Sequence, residues 1–429
     1  MIQNNITLKK INSSPYEADS VEITLLCALL FFLPLYEAPK NLILYAYLIY
    51  WLFRRFKLRT FGHSSRVFEA PLITIGLLGF VTTLINLQTN TSSELLVEAR
   101  NHSGYWALIL VAICISRTSW KSANEVGRMF LFLIAGVTTA IIEGALRGGD
   151  FPSMKSVGHI NQVANFLAIV FSIFISLFFV LKKYRYFTFT LSILIIILIL
   201  ETNSRNALFA SFLTLLCISV LRAKLFKWSS RALILIPLVL SVGVAFVVAN
   251  PSAIQKQRAH LEAGSLDGGR IKLWTTALIT MHNKPLFGYG PDQFAQATSE
   301  KNIKSIVESN GEKYSADNYL FTSHAHNLWV HFAVERGLIA TLTLIFWQLS
   351  LFRFLYLKMT RPKICDKHEY QHSAIIPDSG WVMIGFSVLF VSVFAGIGNT
   401  TLRHEHGLLV FIALGFVLSF LKKNENANN

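Results

Sequence analysis

Three histidines lie close together in the segment SHAHNLWVHFAVERG at residues 323–337, namely His324, His326 and His331. This segment leads directly into a long apolar run, so its titratable groups stand where a helix begins. A neutral imidazole accepts a proton from a hydroxyl group near neutral pH, and a helix N-terminus favours the neutral form. His326, which directly precedes Asn327 at the predicted helix start, is therefore our candidate catalytic base; a purely structural histidine cluster is the alternative.

Two arginines have the chemistry to hold an anion. Arg205 lies in the polar turn ETNSRNALF between two very apolar segments, and Arg270 begins a predicted helix directly after two glycines. A planar guanidinium pairs bidentately with phosphate oxygens, and the free N–H groups of a helix start add to such a site. The predicted ligand is a phosphate or diphosphate; an interfacial or solvated arginine is the alternative at each position.

Polar amides open another apolar run, GHINQVANFLAIV at residues 158–170. Asn161 and Gln162 are predicted either to hydrogen-bond a substrate sugar or phosphate or to cap a helix.

The pair His324 and His326 offers two zinc ligands, but no third ligand follows, so the sequence predicts no metal site.

Glu335 and Arg336 lie several helical turns beyond His324. We predict that they pair with each other or with neighbouring helices rather than with the site.

The composition indicates an integral membrane protein. Of the residues, 53% are hydrophobic and only 15% are charged, and the apolar residues form long blocks without the alternation of a barrel strand. We predict an all-α, polytopic membrane protein with about twelve transmembrane helices. The predicted spans are 21–37, 41–53, 70–87, 104–116, 129–146, 161–181, 187–202, 206–221, 232–249, 329–352, 381–399 and 406–421.

The net charge of +15 fits this membrane interpretation. Most Lys and Arg residues fall in alternate loops, which the positive-inside tendency assigns to the cytoplasm, so both termini are predicted to be cytoplasmic. The basic residues are scattered and lack an interleaved aromatic patch, so the predicted partners include membrane lipids but no nucleic acid. The cysteines suggest no disulfide framework, and the polar N-terminal segment predicts no cleavable signal peptide.

The chain divides into three parts that form one membrane domain overall. Residues 1–249 hold the first nine predicted helices, residues 250–323 form a large outer loop, and residues 324–429 hold the last three helices. A loop of this length is usually functional. Within it we predict helical segments at 253–263 and 270–282.

The second of these loop helices has Ile271, Trp274 and Leu278 at helical spacing, which predicts that they form the packing face. The polar stretch KNIKSIVESNGEKYSADNY that follows is predicted to be solvated.

Five segments in this order resemble the O-antigen ligase and O-antigen polymerase superfamily. They are GHINQVA at 158–164, TNSRNA at 202–207, GGRIKLW at 268–274, PLFGYG at 285–290 and SHAHNLWVHFAVERGLIA at 323–340. Together they extend over roughly residues 155–400.

The resemblance implies a glycosyltransferase of the bacterial inner membrane that works on its periplasmic face without a metal or other cofactor. It implies that Arg205 and Arg270 hold the diphosphate of an undecaprenyl-linked glycan donor. His326 would then activate the acceptor hydroxyl, in a direct displacement that inverts the anomeric carbon. Asn161, Gln162, His324 and Asn327 are the further candidate substrate-binding residues.

We favour an O-antigen ligase that uses lipid A-core as acceptor, because the outer loop is rich in basic residues suited to a phosphorylated acceptor. An O-antigen polymerase remains the nearest alternative, and a protein O-oligosaccharyltransferase is another. A transporter or lipid flippase is the alternative from a different class, although the polar sites gather on one predicted face rather than at the midplane.

Overall fold

The computed structural model describes residues 16–62, 64–86, 92–120, 123–148, 151–181, 184–226, 269–360 and 378–426. Within these ranges the chain forms helices and no strands, which confirms the predicted all-helical class for the described part. The helices are α1 (Ser20–Phe32), α2 (Glu37–Leu58), α3 (Arg66–Asn86), α4 (Ser92–Arg117), α5 (Ala123–Leu146), α6 (Ile160–Val180), α7 (Arg185–Glu201), α8 (Arg205–Phe226), α9 (Arg270–Asn283), α10 (Phe294–Ala297), α11 (Glu300–Ser309), α12 (Leu328–Thr360), α13 (Asp378–Gly396) and α14 (His404–Asn426).

Five segments of the described helices are long and apolar enough to cross a membrane. They are Arg66–Asn86, Glu125–Leu146, Ile160–Val180, Leu328–Met359 and His404–Leu421. Of the predicted spans, 232–249 lies outside the described residues, as does the loop segment 253–263, and each of the others overlaps a described helix. The total number of spans and their sidedness stay predictions.

Helices α6 and α14 form the centre of the bundle. Their most apolar stretches are 89% and 94% buried, whereas the other three membrane-length helices are less than half buried. Helix α6 packs against α7, α8 and α13, and α14 packs against α4 and α13. The hydroxyls of Ser176 on α6 and Ser387 on α13 lie 2.6 Å apart, so small polar residues both allow close helix approach and bond across it.

Ion pairs hold both ends of α2. Near its C-terminus, Arg54 and Arg55 contact the buried carboxylate of Glu22 at the start of α1, at 2.6 and 3.3 Å. At its N-terminus, Lys40 pairs with Glu405 at the start of α14. The starts of α2 and α14 therefore lie on one side of the bundle, as the predicted topology requires.

Helix α12 is broken at Gly337, whose φ of 77° and ψ of 174° are not helical. The loop segment 285–290 fits into this break: the N–H groups of Tyr289 and Gly290 donate to the carbonyls of Val334 and Glu335 at 3.0 and 2.8 Å. In return, the N–H of Leu338 donates to the carbonyl of Pro285 at 2.8 Å. The PLFGYG segment thus satisfies backbone groups that the break leaves without helical partners, and the predicted span 329–352 is not one continuous helix.

Replacement of Gly337 by alanine is expected to destabilise the fold. A Cβ atom at Gly337 would lie 2.1 Å from the Leu286 carbonyl oxygen, in addition to the strain of about 1–3 kcal/mol that this backbone region, which is essentially restricted to glycine, imposes on alanine. Gly311 is the matched control, because its φ is +78° but no atom lies within 4 Å of a Cβ built there. Thermal unfolding of the purified variants should show a larger decrease in Tm for Gly337→Ala; equal decreases would contradict the proposed clash.

The described part of the outer loop packs against the first turns of α12. The side chains of Leu273 and Ala277 on α9 form a small core with those of Phe294, Ala325 and Val334. The indole N–H of Trp274 donates to the Ala325 carbonyl at 3.0 Å, which attaches α9 next to the histidine segment.

The prediction that Ile271 and Leu278 belong to the packing face of α9 was wrong, because their side chains are 66% and 51% exposed. The buried face instead carries Thr276 and Thr280, whose hydroxyls bond to carbonyls one turn earlier at 2.8 and 2.9 Å. Because their polar atoms are satisfied within the helix, these small side chains pack as if they were apolar.

The prediction that the loop stretch KNIKSIVESNGEKYSADNY is solvated was wrong in part. It contains α11, whose Ile303, Ile306 and Val307 are buried. Their spacing of three and four residues forms one helix face, which makes α11 amphipathic.

Candidate active site

His326 lies directly before α12 in a left-handed conformation, with a φ of 47°. Asn327 caps the helix, since its side-chain oxygen accepts from the N–H groups of Trp329 and Val330, both at 3.0 Å. Its side-chain NH₂ group donates to the Ile397 carbonyl at 3.1 Å. The amide of Asn327 thus fixes the position of His326; its predicted contact with substrate stays a prediction.

Arg205 is positioned by its neighbour. Asn206, in the first turn of α8, donates from its side chain to the Ala395 carbonyl at 2.7 Å. Ala395 lies in the last turn of α13 and Ile397 directly follows that helix, so the starts of α8 and α12 are anchored to the same short segment. The structure therefore brings the exposed Arg205 and the half-buried His326 to one end of the bundle.

Arg270 acts electrostatically on His326. The pKa of the His326 imidazole lies below its usual value of 6.5, first because of burial and then because of the positive charge of Arg270, with further electrostatic contributions from His159 and His331. Arg270 begins α9 after Gly269, whose φ of 78° suits glycine. The predicted phosphate-binding arginine and the predicted base are thus electrostatic neighbours.

The ring of His324 lies against that of His326, with centroids 4.2 Å apart. Burial, followed by electrostatic interaction with His326, lowers the pKa of His324 to about 4. Both imidazoles are therefore neutral at pH 7 in this conformation, which leaves a nitrogen of His326 able to accept a proton.

His159 was missed by the sequence analysis. It caps α6, and its Nδ1 accepts from the N–H of Asn161 at 3.3 Å, while the side-chain oxygen of Gln162 lies over Gly158. Electrostatic interaction with His159 contributes to the lowered pKa of both His324 and His326, so the start of α6 lies near the histidine pair. His159 could have been identified from the sequence by its position immediately before an apolar helix, because a side-chain acceptor at that position caps the first turn.

His331 belongs to a separate, buried polar network. Arg403 donates to its Nε2 at 2.6 Å and also bonds to Asp292 at 2.5 Å, while Glu335 lies 3.0 Å from the same Nε2. The network joins the outer loop to the starts of α12 and α14. The carboxylates of Glu335 and Asp292 raise the pKa of Arg403, which keeps the guanidinium charged.

The predicted pairing of Glu335 and Arg336 with neighbouring elements is confirmed. Glu335 pairs with Arg403, and the guanidinium of Arg336 lies 4.2 Å from the ring centroid of Tyr105. Neither contacts the histidine pair in the described structure. Among the described residues, no group of three His, Cys, Asp or Glu side chains is placed to hold a metal ion.

The fold and the site together describe a helical protein with several membrane-length helices and a histidine–arginine cluster at one end. Residues 190–345 match the family model described as O-antigen ligase. This match confirms, over that segment, the resemblance to the O-antigen ligase and polymerase superfamily, whose members are glycosyltransferase-like enzymes of lipopolysaccharide biosynthesis. The matched range includes Arg205, Arg270 and His326. A comparison with curated proteins found no match.

Proposed function

We propose that this protein is an O-antigen ligase that transfers glycan from undecaprenyl diphosphate to a sugar hydroxyl of lipid A-core. The reaction takes place on the periplasmic face of the bacterial inner membrane, without a metal. The observation that carries the proposal is the electrostatic proximity of Arg270 to His326 at a capped helix start, within the segment matched by the family model. The distribution of basic residues supports a cytoplasmic location for both chain termini.

In the proposed reaction a nitrogen of His326 removes the proton from the acceptor hydroxyl. The hydroxyl oxygen forms a bond to the anomeric carbon of the donor, and the bond from that carbon to the diphosphate oxygen breaks. The electron pair leaves with the diphosphate, whose charge Arg205 and Arg270 stabilise. Attack from the side opposite the leaving group inverts the anomeric carbon.

The positive charge of Arg270 couples donor binding to the pKa of His326. In the free enzyme the positive charge of Arg270 opposes protonation of His326. A bound diphosphate compensates this charge, so the pKa of His326 rises when the donor is present. Donor binding therefore makes His326 a stronger base at the moment when the acceptor must lose its proton.

This coupling predicts the pH dependence of transfer. Because the free-enzyme pKa of His326 is below 6.5, kcat/KM for the donor should fall as pH decreases through a midpoint below 6.5. The acidic limb of kcat, which reports the donor complex, should have its midpoint at higher pH. Initial rates over a pH series at low and at saturating donor measure both limbs; a kcat limb at the lower pH would contradict the coupling.

The nature of the acceptor separates ligase from polymerase. The described outer loop carries several basic residues, which suit the phosphates of lipid A-core. They are Arg270, Lys272, Lys284, Lys301, Lys304 and Lys313; Lys256 and Arg258 lie outside the described residues.

The purified protein in proteoliposomes should therefore convert lipid A-core to its glycan-modified form when given undecaprenyl-diphosphate-linked glycan and no nucleotide. Lengthening of the carrier-linked glycan instead would indicate a polymerase. Movement of the carrier across the bilayer without a new glycosidic bond would indicate a transporter.

A further inference from the structure

A polar cavity lies at the start of α12, the helix that follows His326, and is not used by the proposed diphosphate site. Its volume is about 440 Å³, and it lies between the outer-loop residues 291–292 and helices α2, α4, α12 and α14. Leu328 and His331 line it, and they belong to the helix start that directly follows His326. No lining residue comes from α6, α8 or α9, the helices that begin near His159, Arg205 and Arg270.

The cavity is polar but balanced in charge. Three basic residues line it, namely Lys40, Arg336 and Arg403, and so do three acidic residues, Glu37, Asp292 and Glu335. The basic groups already have partners, since Lys40 pairs with Glu405, and Arg403 pairs with Asp292 and Glu335. A diphosphate only accepts hydrogen bonds and needs an excess of positive charge, which this cavity does not offer.

A sugar suits the lining of this cavity better than a diphosphate does. Each sugar hydroxyl both donates and accepts, so it matches carboxylates and guanidinium groups placed side by side. The aromatic side chains of Tyr45, Tyr105 and Phe332 also line the cavity and offer apolar faces to the C–H groups of a ring. The lining is therefore suited to an uncharged, hydroxyl-rich group.

The cavity adjoins an apolar groove on the surface of the helical bundle. An apolar groove of about 700 Å³ between α2, α3 and α4 shares Tyr45, Ser103 and Ala107 with it. The groove includes the exposed side chains of Ile49, Phe80 and Leu110. A glycan anchored in the membrane thus has a lateral route into the cavity.

We propose that this cavity binds the acceptor sugar of the lipid-anchored glycan acceptor and presents its hydroxyl to His326. The assignment rests on the proposed function, which places the donor diphosphate at Arg205 and Arg270, on elements that do not line the cavity. The two substrates then approach His326 from different helices, as a direct displacement requires.

Gly104 on α4 offers a way to fill the cavity without disturbing its charges. It lines the cavity, and a Cβ built there meets no atom within 4 Å. Because glycine is a poor helix former, a larger residue at this helical position favours folding. Gly127 on α5 is the matched control, since a Cβ there also meets no atom within 4 Å and it does not line the cavity.

The test measures initial rates of transfer with the Gly104→Ala, Gly104→Leu and Gly104→Phe variants in proteoliposomes. The KM for lipid A-core should increase with side-chain volume, by about tenfold or more for Gly104→Phe, while the KM for the undecaprenyl-diphosphate-linked donor changes less than about twofold. Gly127→Phe should leave both constants unchanged. An unchanged acceptor KM in Gly104→Phe, or an increase confined to the donor KM, would overturn the assignment.

A binding measurement separates this inference from the proposed function. If the wild-type protein transfers no glycan, the ligase proposal fails on its own. Binding of lipid A-core to nanodisc-embedded protein would then test whether the cavity is the acceptor site. Loss of binding in Gly104→Phe but not in Gly127→Phe supports this assignment, and equal binding by both variants overturns it.

Discussion

Replacement of His326 by asparagine is expected to reduce kcat for glycan transfer by about 10²- to 10⁴-fold, the usual contribution of a general base. Asparagine cannot accept the proton, but it tolerates a left-handed conformation better than most residues, and His326 has a φ of 47°. The variant should therefore fold normally and still bind the donor. Initial rates, together with donor affinity and thermal unfolding, measure these effects separately.

The matched control is His282→Asn. His282 is exposed near the C-terminus of α9, in the same outer-loop region, and has no part in the proposed chemistry. Transfer by this variant should equal that of the wild type. A His326→Asn protein that folds and retains wild-type kcat would remove His326 from the reaction.

Replacement of Arg270 or Arg205 by alanine is expected to reduce kcat/KM for the donor by about 10²- to 10³-fold, as for the loss of a group that stabilises transition-state charge. Lysine should restore part of the rate at either position, because it keeps the charge but loses the bidentate geometry. For Arg270→Ala the acidic limb of kcat/KM should also move to higher pH, since the charge that lowers the pKa of His326 is removed.

The pH effect distinguishes the loss of Arg270 from a general loss of positive charge. Lys272 lies two residues after Arg270, and its side chain is exposed. Lys272→Ala should change neither kcat/KM for the donor nor its acidic pH limb by more than about twofold, since exposed charges at a distance are screened by salt. An equal loss of activity in Lys272→Ala and Arg270→Ala would mean that the loop acts only through its overall charge.

Much of the helical framework was predictable, because long apolar blocks have few alternatives to a helix in a membrane. The predicted segment 161–181 corresponds to α6 at Ile160–Val180, and 187–202 corresponds to α7 at Arg185–Glu201. The helix start at Leu328 was also predictable, since asparagine favours the capping position that Asn327 occupies. The candidate residues Arg270, His324 and His326 then follow from charged and titratable groups placed at such starts.

Features that depend on contacts distant in the chain were not predictable. The break at Gly337 is stabilised because residues 285–290 supply hydrogen-bond partners for its backbone groups. No local sequence pattern predicts that contact. The buried face of α9 depends on threonine hydroxyls that bond within the helix, which a hydropathy pattern counts as polar. Arg403 and Asp292 are 111 residues apart, so their pairing is visible only in the fold.

The most direct test of the proposed chemistry is the anomeric configuration of the transferred sugar. The purified wild-type protein would be given undecaprenyl-diphosphate-linked glycan and lipid A-core, and the donor and product linkages would be compared by NMR. Direct displacement, with His326 as base and the diphosphate held by Arg205 and Arg270, predicts inversion. A product that retains the donor configuration would contradict a single displacement and require a covalent glycosyl-enzyme intermediate instead.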